Sequence, residues 1–266
     1  MDRDTQLVNF ERLEADAAAM HEQFAGARPF RHVVIDDFAD GDRLIELVAE
    51  MPDPHDAGIG KSRDYVFAKN KFEKSGFAEF GPQSRELYTE LCSDRFGALL
   101  RAITGEDVFV DPAFHGGGMH QAGEESFLDM HVDFNKHPLH ETWFRNLNIL
   151  LYLNPGWESS WRGALDLRNK DTGEEASIDP LFNRCVIMET REFSLHGFAP
   201  IAFPVGVYRR SIACYAYTEM AEDFDYRSTV WYPDEGGVWK RALGRAWPTL
   251  VKTKNRFLGS GTAKNQ

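Results

Sequence analysis

The spacing of apolar residues changes once along this chain, and that change limits what it can fold into. In the first hundred or so residues they recur at three- and four-residue steps, as on one side of a helix. Leu7, Phe10, Leu13, Ala17, Met20 and Phe24 make one such stripe, and Leu87, Leu91, Phe96, Leu99 and Leu100 another. From Phe109 the pattern becomes period 2, in short runs bounded by Gly, Pro, Asn and Asp, which is the signature of strands. Helices first and many short strands afterwards predict an α+β fold, an antiparallel sheet with helices packed on one side. The expected divisions are an N-terminal helical region with a core strand (1–106), a β core (107–232) and a tail (233–266). With 266 residues, the whole is expected to be one structural domain.

Within that outline the spacing predicts a helix over 7–24, ended by "GARP", and a strand over Phe30–Phe38. A second helix is expected over Asp40–Met51, capped by Asp40 and stopped by Pro52, and one long helix over Ser84–Ile103 with Gly105 just past its end. The segments 53–65 and Lys71–Gly81 read as loop and irregular chain. Further strands are expected at Val108–Phe114, Leu128–Phe134, Leu147–Leu153, Ala164–Arg168, Arg184–Glu189, Ser194–Gly197 and Tyr208–Thr218. "HGGGMHQAGEESF" reads as a Gly-rich turn region, "HPLHE" (His137, His140) as solvent-facing loop, Val238–Arg245 as a short helix, and the end after Gly259 as frayed.

Charge and cysteine usage remove several classes of function. The formal net charge of −12 argues against nucleic acid or an anionic membrane as partner. Cys92, Cys185 and Cys214 are scattered and contain no CxxC pair, which suits a reducing compartment. The first twenty residues lack the apolar region of a signal peptide, and no run reaches the roughly 18 apolar residues a membrane span needs. The expectation is a cytoplasmic protein with no membrane association.

The chemistry concentrates at His131-Val132-Asp133. Side chains at i and i+2 of a strand share a face, so an imidazole and a carboxylate project together. His196, far downstream on another predicted strand, offers a third ligand. Two His and one carboxylate with open coordination positions form the facial triad of non-haem Fe(II) oxygenases. A structural zinc would be expected to complete four protein ligands, typically with cysteine, and none lies near these three in sequence. Beyond His196 comes Arg209-Arg210-Ser211, where a guanidinium and a hydroxyl two residues on can grip a carboxylate.

The segments "FLDMHVDFN", "LNILLYLNPGW", "GALDL", "FNRCVIMETREFSLHG" and "YRRSIACYAYT", together about residues 109–219, resemble the 2-oxoglutarate-dependent Fe(II) oxygenases, specifically their prolyl 4-hydroxylase-like branch. The resemblance implies a double-stranded β-helix, the jelly-roll or cupin-like core whose open mouth holds the metal. It implies Fe(II), 2-oxoglutarate and O2 as reactants, with ascorbate as an accessory reductant, and hydroxylation of a substrate C–H coupled to decarboxylation of 2-oxoglutarate to succinate. His131, Asp133 and His196 would hold the metal. Arg209 with Ser211 would take the C5 carboxylate of 2-oxoglutarate, Arg210 being the alternative if a bulge shifts the register. Asn148 and Tyr152, sharing a face by parity, are candidates for further cosubstrate contacts, against plain roles at a ladder end and in the core. His120 and Gln121 follow three glycines and are candidates for substrate contact, as is Trp161, which lies in a loop with Trp157 and Arg162.

The expected reaction is hydroxylation of an unactivated carbon in a small molecule, such as a free or carrier-bound amino acid. Peptidyl or prolyl hydroxylation of a protein, and desaturation or cyclisation by the same cofactors, stand as alternatives. Halogenation is disfavoured because Asp133 occupies the position that halogenases of this class give to a small residue. A non-catalytic cupin-like binding module is the remaining, different class, and an intact triad with Arg209 argues against it.

Overall fold

The computed structural model describes residues 6–56, 60–61, 64, 66–234 and 237–258. The first half of the chain runs through α1 (Phe10–Ala15), α2 (Ala17–Gly26), β1 (His32–Ile35), α3 (Gly41–Glu50), β2 (Gly60–Lys61), β3 (Ala68–Lys74), α4 (Pro82–Leu91) and α5 (Asp94–Thr104). The second half adds β4 (Phe109–Val110), β5 (Gly118–Val132), β6 (Trp143–Tyr152), β7 (Leu165–Asn169), β8 (Glu175–Ile178), β9 (Arg184–Glu189), β10 (Ser194–Phe198), β11 (Arg209–Glu219), β12 (Val230–Trp231) and α6 (Gly237–Leu258). No helix among the described residues is long and apolar enough to cross a membrane.

All of the strand pairings are antiparallel, and the main path of the sheet is β1-β9-β6-β11-β5-β10-β7-β8. The curl comes from β5, which pairs through residues 118–122 with β11 and through 128 and 131 with β10. Between those stretches Glu125 has φ 54°, and the pairing of β5 with β3 slips beside Asn70, whose φ is 53°. A long strand bent in its middle serves two sheets, and the result is the half-barrel of a double-stranded β-helix.

Alternation then sorts the side chains. Leu147, Ile149 and Leu151 of β6, with Ile187, Ile212 and Cys214, face outward into one apolar cluster with Phe10, Phe24, Leu44, Leu87 and Leu100 of the helices. Asn148, Leu150 and Tyr152 face inward to a cavity. The helices thus cover one face of the larger sheet and leave its other face to line the interior. Their ends match the expected signals: Asp40 accepts a hydrogen bond from the backbone N–H of Arg43, and Gly105 caps α5 at φ 73°.

Several expectations change. The helix expected over 7–24 is broken at Asp16 into α1 and α2. That expected over Ser84–Ile103 is two helices, because Ser93 takes an extended conformation and its hydroxyl caps α5 by accepting from the N–H of Phe96. Lys71–Lys74, expected to be irregular, lies in β3, and most of the Gly-rich region is strand, since each finds a ladder partner in the other. α6 runs well past Arg245. His137 is buried, its Nε2 3.2 Å from Asp111 Oδ2, while His140 is exposed as expected. The expected fraying after Gly259 lies outside the described residues, as does much of the expected loop between Ala57 and Tyr65.

Candidate active site

The inward face of the sheet encloses a cavity of about 400 Å³, and the strands deliver the predicted triad to it. His131 on β5 lies directly across from His196 on β10, so the two imidazoles come from paired positions, with ring centroids 4.2 Å apart. Asp133 follows two residues after His131, on the same face. Its Oδ1 lies 3.5 Å from His131 Nε2 and its Oδ2 3.6 Å from His196 Nε2. One ligand atom from each of the three falls within 4.8 Å of the others, and all three side chains are buried. Gly197 permits this pairing: a Cβ there would stand 2.5 Å from the carbonyl oxygen of Leu128, so only glycine lets β10 press against β5 beside the triad.

The protonation states suit a metal. Burial pushes the His196 imidazole down to about 3, so its nitrogen is free to ligate at neutral pH. Burial works to raise the Asp133 carboxyl, but the Arg145 cation and then the two imidazoles outweigh it and hold Asp133 well below the usual carboxylate range. His131 is oriented by Nδ1, 3.0 Å from the backbone oxygen of Asp129, which turns Nε2 toward Asp133. Trp231 of β12 stacks on its ring at 4.7 Å between centroids. Two imidazoles and one ionised carboxylate, a ligand atom of each within 4.8 Å of the others, form a donor set that fits a divalent cation of the Fe(II) type.

In the same cavity, β11 brings Arg209 to the inner face. Its Nε donates to the backbone oxygen of Gly163 at 2.6 Å and its Nη2 to the Tyr152 hydroxyl at 3.4 Å. The rings of Tyr152 and Phe198 lie 5.0 and 4.4 Å from its guanidinium carbon. Ser211 sits across from Tyr152 on one side and from His120 on the other. Arg210 points the opposite way, donating from Nε to Gln121 Oε1 at 2.9 Å. Asn148 lines the cavity with a buried Oδ1 that has no hydrogen-bond partner.

The three candidates for substrate contact separate. His120 faces the cavity; its Nε2 is buried without a hydrogen-bond partner, 4.0 Å from Glu73 Oε1, and burial pushes the imidazole down to about 3. Gln121 borders the cavity, but its side-chain amide is taken up by the backbone oxygen of Pro52 at 3.0 Å and by Arg210. Trp161 packs on Phe203, in a cluster with Ile201 and Phe198, one layer behind the cavity wall.

Three further residues in this wall did not come from sequence reasoning. Lys71 and Glu73 of β3 line the cavity, their charged ends 2.6 Å apart, and were hidden because β3 was not anticipated. Arg145 lies 3.1 Å from Asp133 Oδ2 and lines the same cavity as Asn148, although the two are three positions apart and plain alternation would put them on opposite faces.

Residues 117–217 match the 2OG-Fe(II) oxygenase superfamily model. The chain carries a 2OG-Fe(II) oxygenase domain. Enzymes of this family are oxidoreductases that use Fe(II) and 2-oxoglutarate, and the donor set of the oxygenase domain fits that use. Among solved structures, a Trichoplax adhaerens prolyl hydroxylase in complex with a hypoxia-inducible-factor peptide fragment is 16% identical, with a TM-score of 0.58 over 78% of this chain and 91% of the other. A Pseudomonas putida prolyl-4-hydroxylase is 18% identical with a TM-score of 0.53 over 76% and 98%. A Phytophthora capsici prolyl 4-hydroxylase is 18% identical with a TM-score of 0.54 over 83% and 68%. At these identities the likeness is one of fold. No curated protein sequence matches the chain.

Proposed function

We propose that this oxygenase hydroxylates an unactivated C–H bond of a small polar molecule, such as an amino-acid-derived compound, with Fe(II), 2-oxoglutarate and O2. The observation that carries this reading is the shared cavity: the triad, Arg209 and the Lys71–Glu73–His120 wall all open onto one space of about 400 Å³. That volume is within the usual range for a small-molecule site. His131, Asp133 and His196 would hold the metal, and Arg209, Ser211 and Tyr152 the distal carboxylate of 2-oxoglutarate. Bound there, Fe(II) with 2-oxoglutarate and O2 supplies the oxidation that places oxygen on a carbon, releasing succinate and CO2.

The protein's part is position and exclusion of water. Leu128, Leu150, Leu165 and Phe198 make the dry side of the cavity. His120, held neutral, offers a hydrogen-bonding nitrogen to a substrate rather than a charge. Lys71 and Glu73 offer opposite charges two residues apart on one strand face. A cavity lined by both apolar and polar side chains suits a compact substrate held by a few polar groups. The test is succinate release by Fe(II)-loaded protein challenged with metabolite fractions and amino acids, followed by mass analysis for a gain of one oxygen. Coupled turnover only with protein or peptide fractions would overturn the small-molecule reading. The likeness of fold to a prolyl hydroxylase bound to a peptide favours that second reading and makes it the arm to run alongside.

A further inference from the structure

Arg145 is among the largest fully buried side chains in the protein, with none of its side-chain surface exposed. Its guanidinium lies between two rings, 3.7 Å from the centroid of Phe134 and 3.6 Å from that of Tyr215. Those rings stabilise a cation on its faces but accept no hydrogen bond at its edge. At the edge, Nη2 reaches the Tyr217 hydroxyl at 3.5 Å, while Nε and Nη1 are buried without a hydrogen-bond partner. Within ion-pair distance among the described residues its only carboxylate is Asp133, whose Oδ2 is 3.1 Å from Nη1. Burying a cation this way costs several kcal/mol unless a nearby anion and good geometry offset it. A core that only needed filling would be better served by an apolar side chain.

The backbone goes out of its way to deliver this residue. β6 and β11 pair Leu147 with Ala216 and Arg145 with Tyr217, so Asn146 is an extra residue bulged out of the ladder. The bulge is why Arg145 and Asn148 reach the same cavity. It is tied on both sides. The Asn146 side chain is bonded to the Thr218 hydroxyl, and its Oδ1 accepts from Arg191 at 2.7 Å. The backbone oxygens of Asn146 and Arg145 accept from the N–H and hydroxyl of Thr190, each at 2.9 Å. The N–H of Arg145 donates to the backbone oxygen of Asn135, two residues past Asp133. Tyr215, one of the two caging rings, is itself anchored through its hydroxyl to the backbone oxygen of Gly116 at 3.0 Å.

We propose that Arg145 is the positioning residue of the metal site, holding the Asp133 carboxylate by Oδ2 so that it presents one fixed face to the metal beside His131 and His196. Two effects compete here. The cation repels a bound metal, which weakens binding; it also removes the freedom of Asp133 to rotate away, which strengthens it. The bulge, the aromatic cage and Asp133 as the one carboxylate partner among the described residues are features of a device for orientation, and orientation prevails. Loss of such a ligand-orienting partner typically weakens metal binding about 10- to 100-fold.

The inference rests on His131, Asp133 and His196 being the ligands, and the experiment separates the two. Full-length apo-protein is titrated with Co(II), reading affinity by calorimetry and ligand geometry from the visible absorption bands, with circular dichroism as the check on folding. Arg145→Met is expected to bind Co(II) about 10- to 100-fold more weakly with altered bands, and Arg145→Lys, which keeps a cation, to fall between it and the parent. Unchanged or tighter binding by a folded Arg145→Met protein, with parental bands, overturns the proposal. If Arg145→Met does not fold, Arg145→Lys decides alone: weaker binding with shifted bands supports positioning, and parental affinity and bands refute it. His196→Ala is run in parallel. Parental affinity in His196→Ala would sink the ligand assignment itself, whatever the Arg145 variants do.

Discussion

Replacing Arg209 with Met should weaken 2-oxoglutarate binding far more than replacing Arg210, and the structure gives the scale. A guanidinium carries five N–H groups. In Arg209, Nε is committed to the oxygen of Gly163 and one Nη2 donor to Tyr152 Oη, which leaves the Nη1 pair and the second Nη2 donor for a carboxylate. The residue is only 7% exposed and its guanidinium is flanked by Tyr152 and Phe198, so a carboxylate reaching it is largely out of water. A hydrogen bond to a charged group under such conditions contributes about 1.5–3 kcal/mol. At about 1.4 kcal/mol per tenfold, the dissociation constant should rise roughly 10- to 150-fold. Arg210 donates instead to Gln121, whose own amide donates to the backbone oxygen of Pro52, and its loss should change binding less than about threefold while lowering stability by ~1–3 kcal/mol for the stranded buried amide. Calorimetry of 2-oxoglutarate against Mn(II)-loaded protein under anaerobic conditions measures both without needing the substrate. Equal effects, or a larger effect at Arg210, would refute the assignment of Arg209 to the cosubstrate and with it the paired role of Ser211.

Single Ala replacements at His131, Asp133 and His196 should each abolish measurable Co(II) or Fe(II) binding and all 2-oxoglutarate turnover; retained affinity in any one removes that residue from the ligand set. His120→Ala should depress substrate-coupled turnover while leaving metal and 2-oxoglutarate affinities near the parent's, whereas Gln121→Ala should lower the melting temperature and spare turnover, a contrast that activity and thermal scans on the two proteins will expose. Gly118→Ala should destabilise the fold by about 2–3 kcal/mol or more, because φ is +92° there and a Cβ would stand 2.3 Å from the backbone oxygen of Lys74; an unchanged urea midpoint would contradict the close approach of β3 and β5.

What could be read in the sequence was whatever depends on unbroken local periodicity. His131 and Asp133 share a face because nothing interrupts the strand between them, and the buried alternation of Leu147, Ile149 and Leu151 against Asn148 and Tyr152 follows the same rule. Helix stripes and the caps at Asp40 and Gly105 are equally local. The break between α4 and α5 had a signal in Ser93, a capping side chain inside what looked like one apolar stripe. β3 and the first half of β5 had little: polar, Gly-rich chain becomes strand there because each supplies the other's ladder, a long-range pairing that composition does not encode. The burial of His137 is likewise non-local, resting on Asp111 from an earlier segment.

The site itself shows where parity reasoning must fail. Along β11 the count from Arg209 to Ser211 holds, so the two arginines separate as alternation predicts, one to the cavity and one to the Gln121 amide. Along β6 the count breaks at Asn146, and the residue it re-aims is the one beside the metal-binding carboxylate. Bulges are favoured next to active sites because they turn a side chain without moving the strand. Reading the same two faces in sequence alone would have required recognising Arg145-Asn146 as a bulge. The trace is the adjacent polar pair Arg145-Asn146 in a strand whose other polar residue is Asn148: Asn146 spends its amide on Thr218 and Arg191, which frees Arg145 to turn inward. A buried arginine at the start of a core strand is therefore better treated as a sign of broken register than as an error of alternation, since only a partner on the inner face can hold its charge.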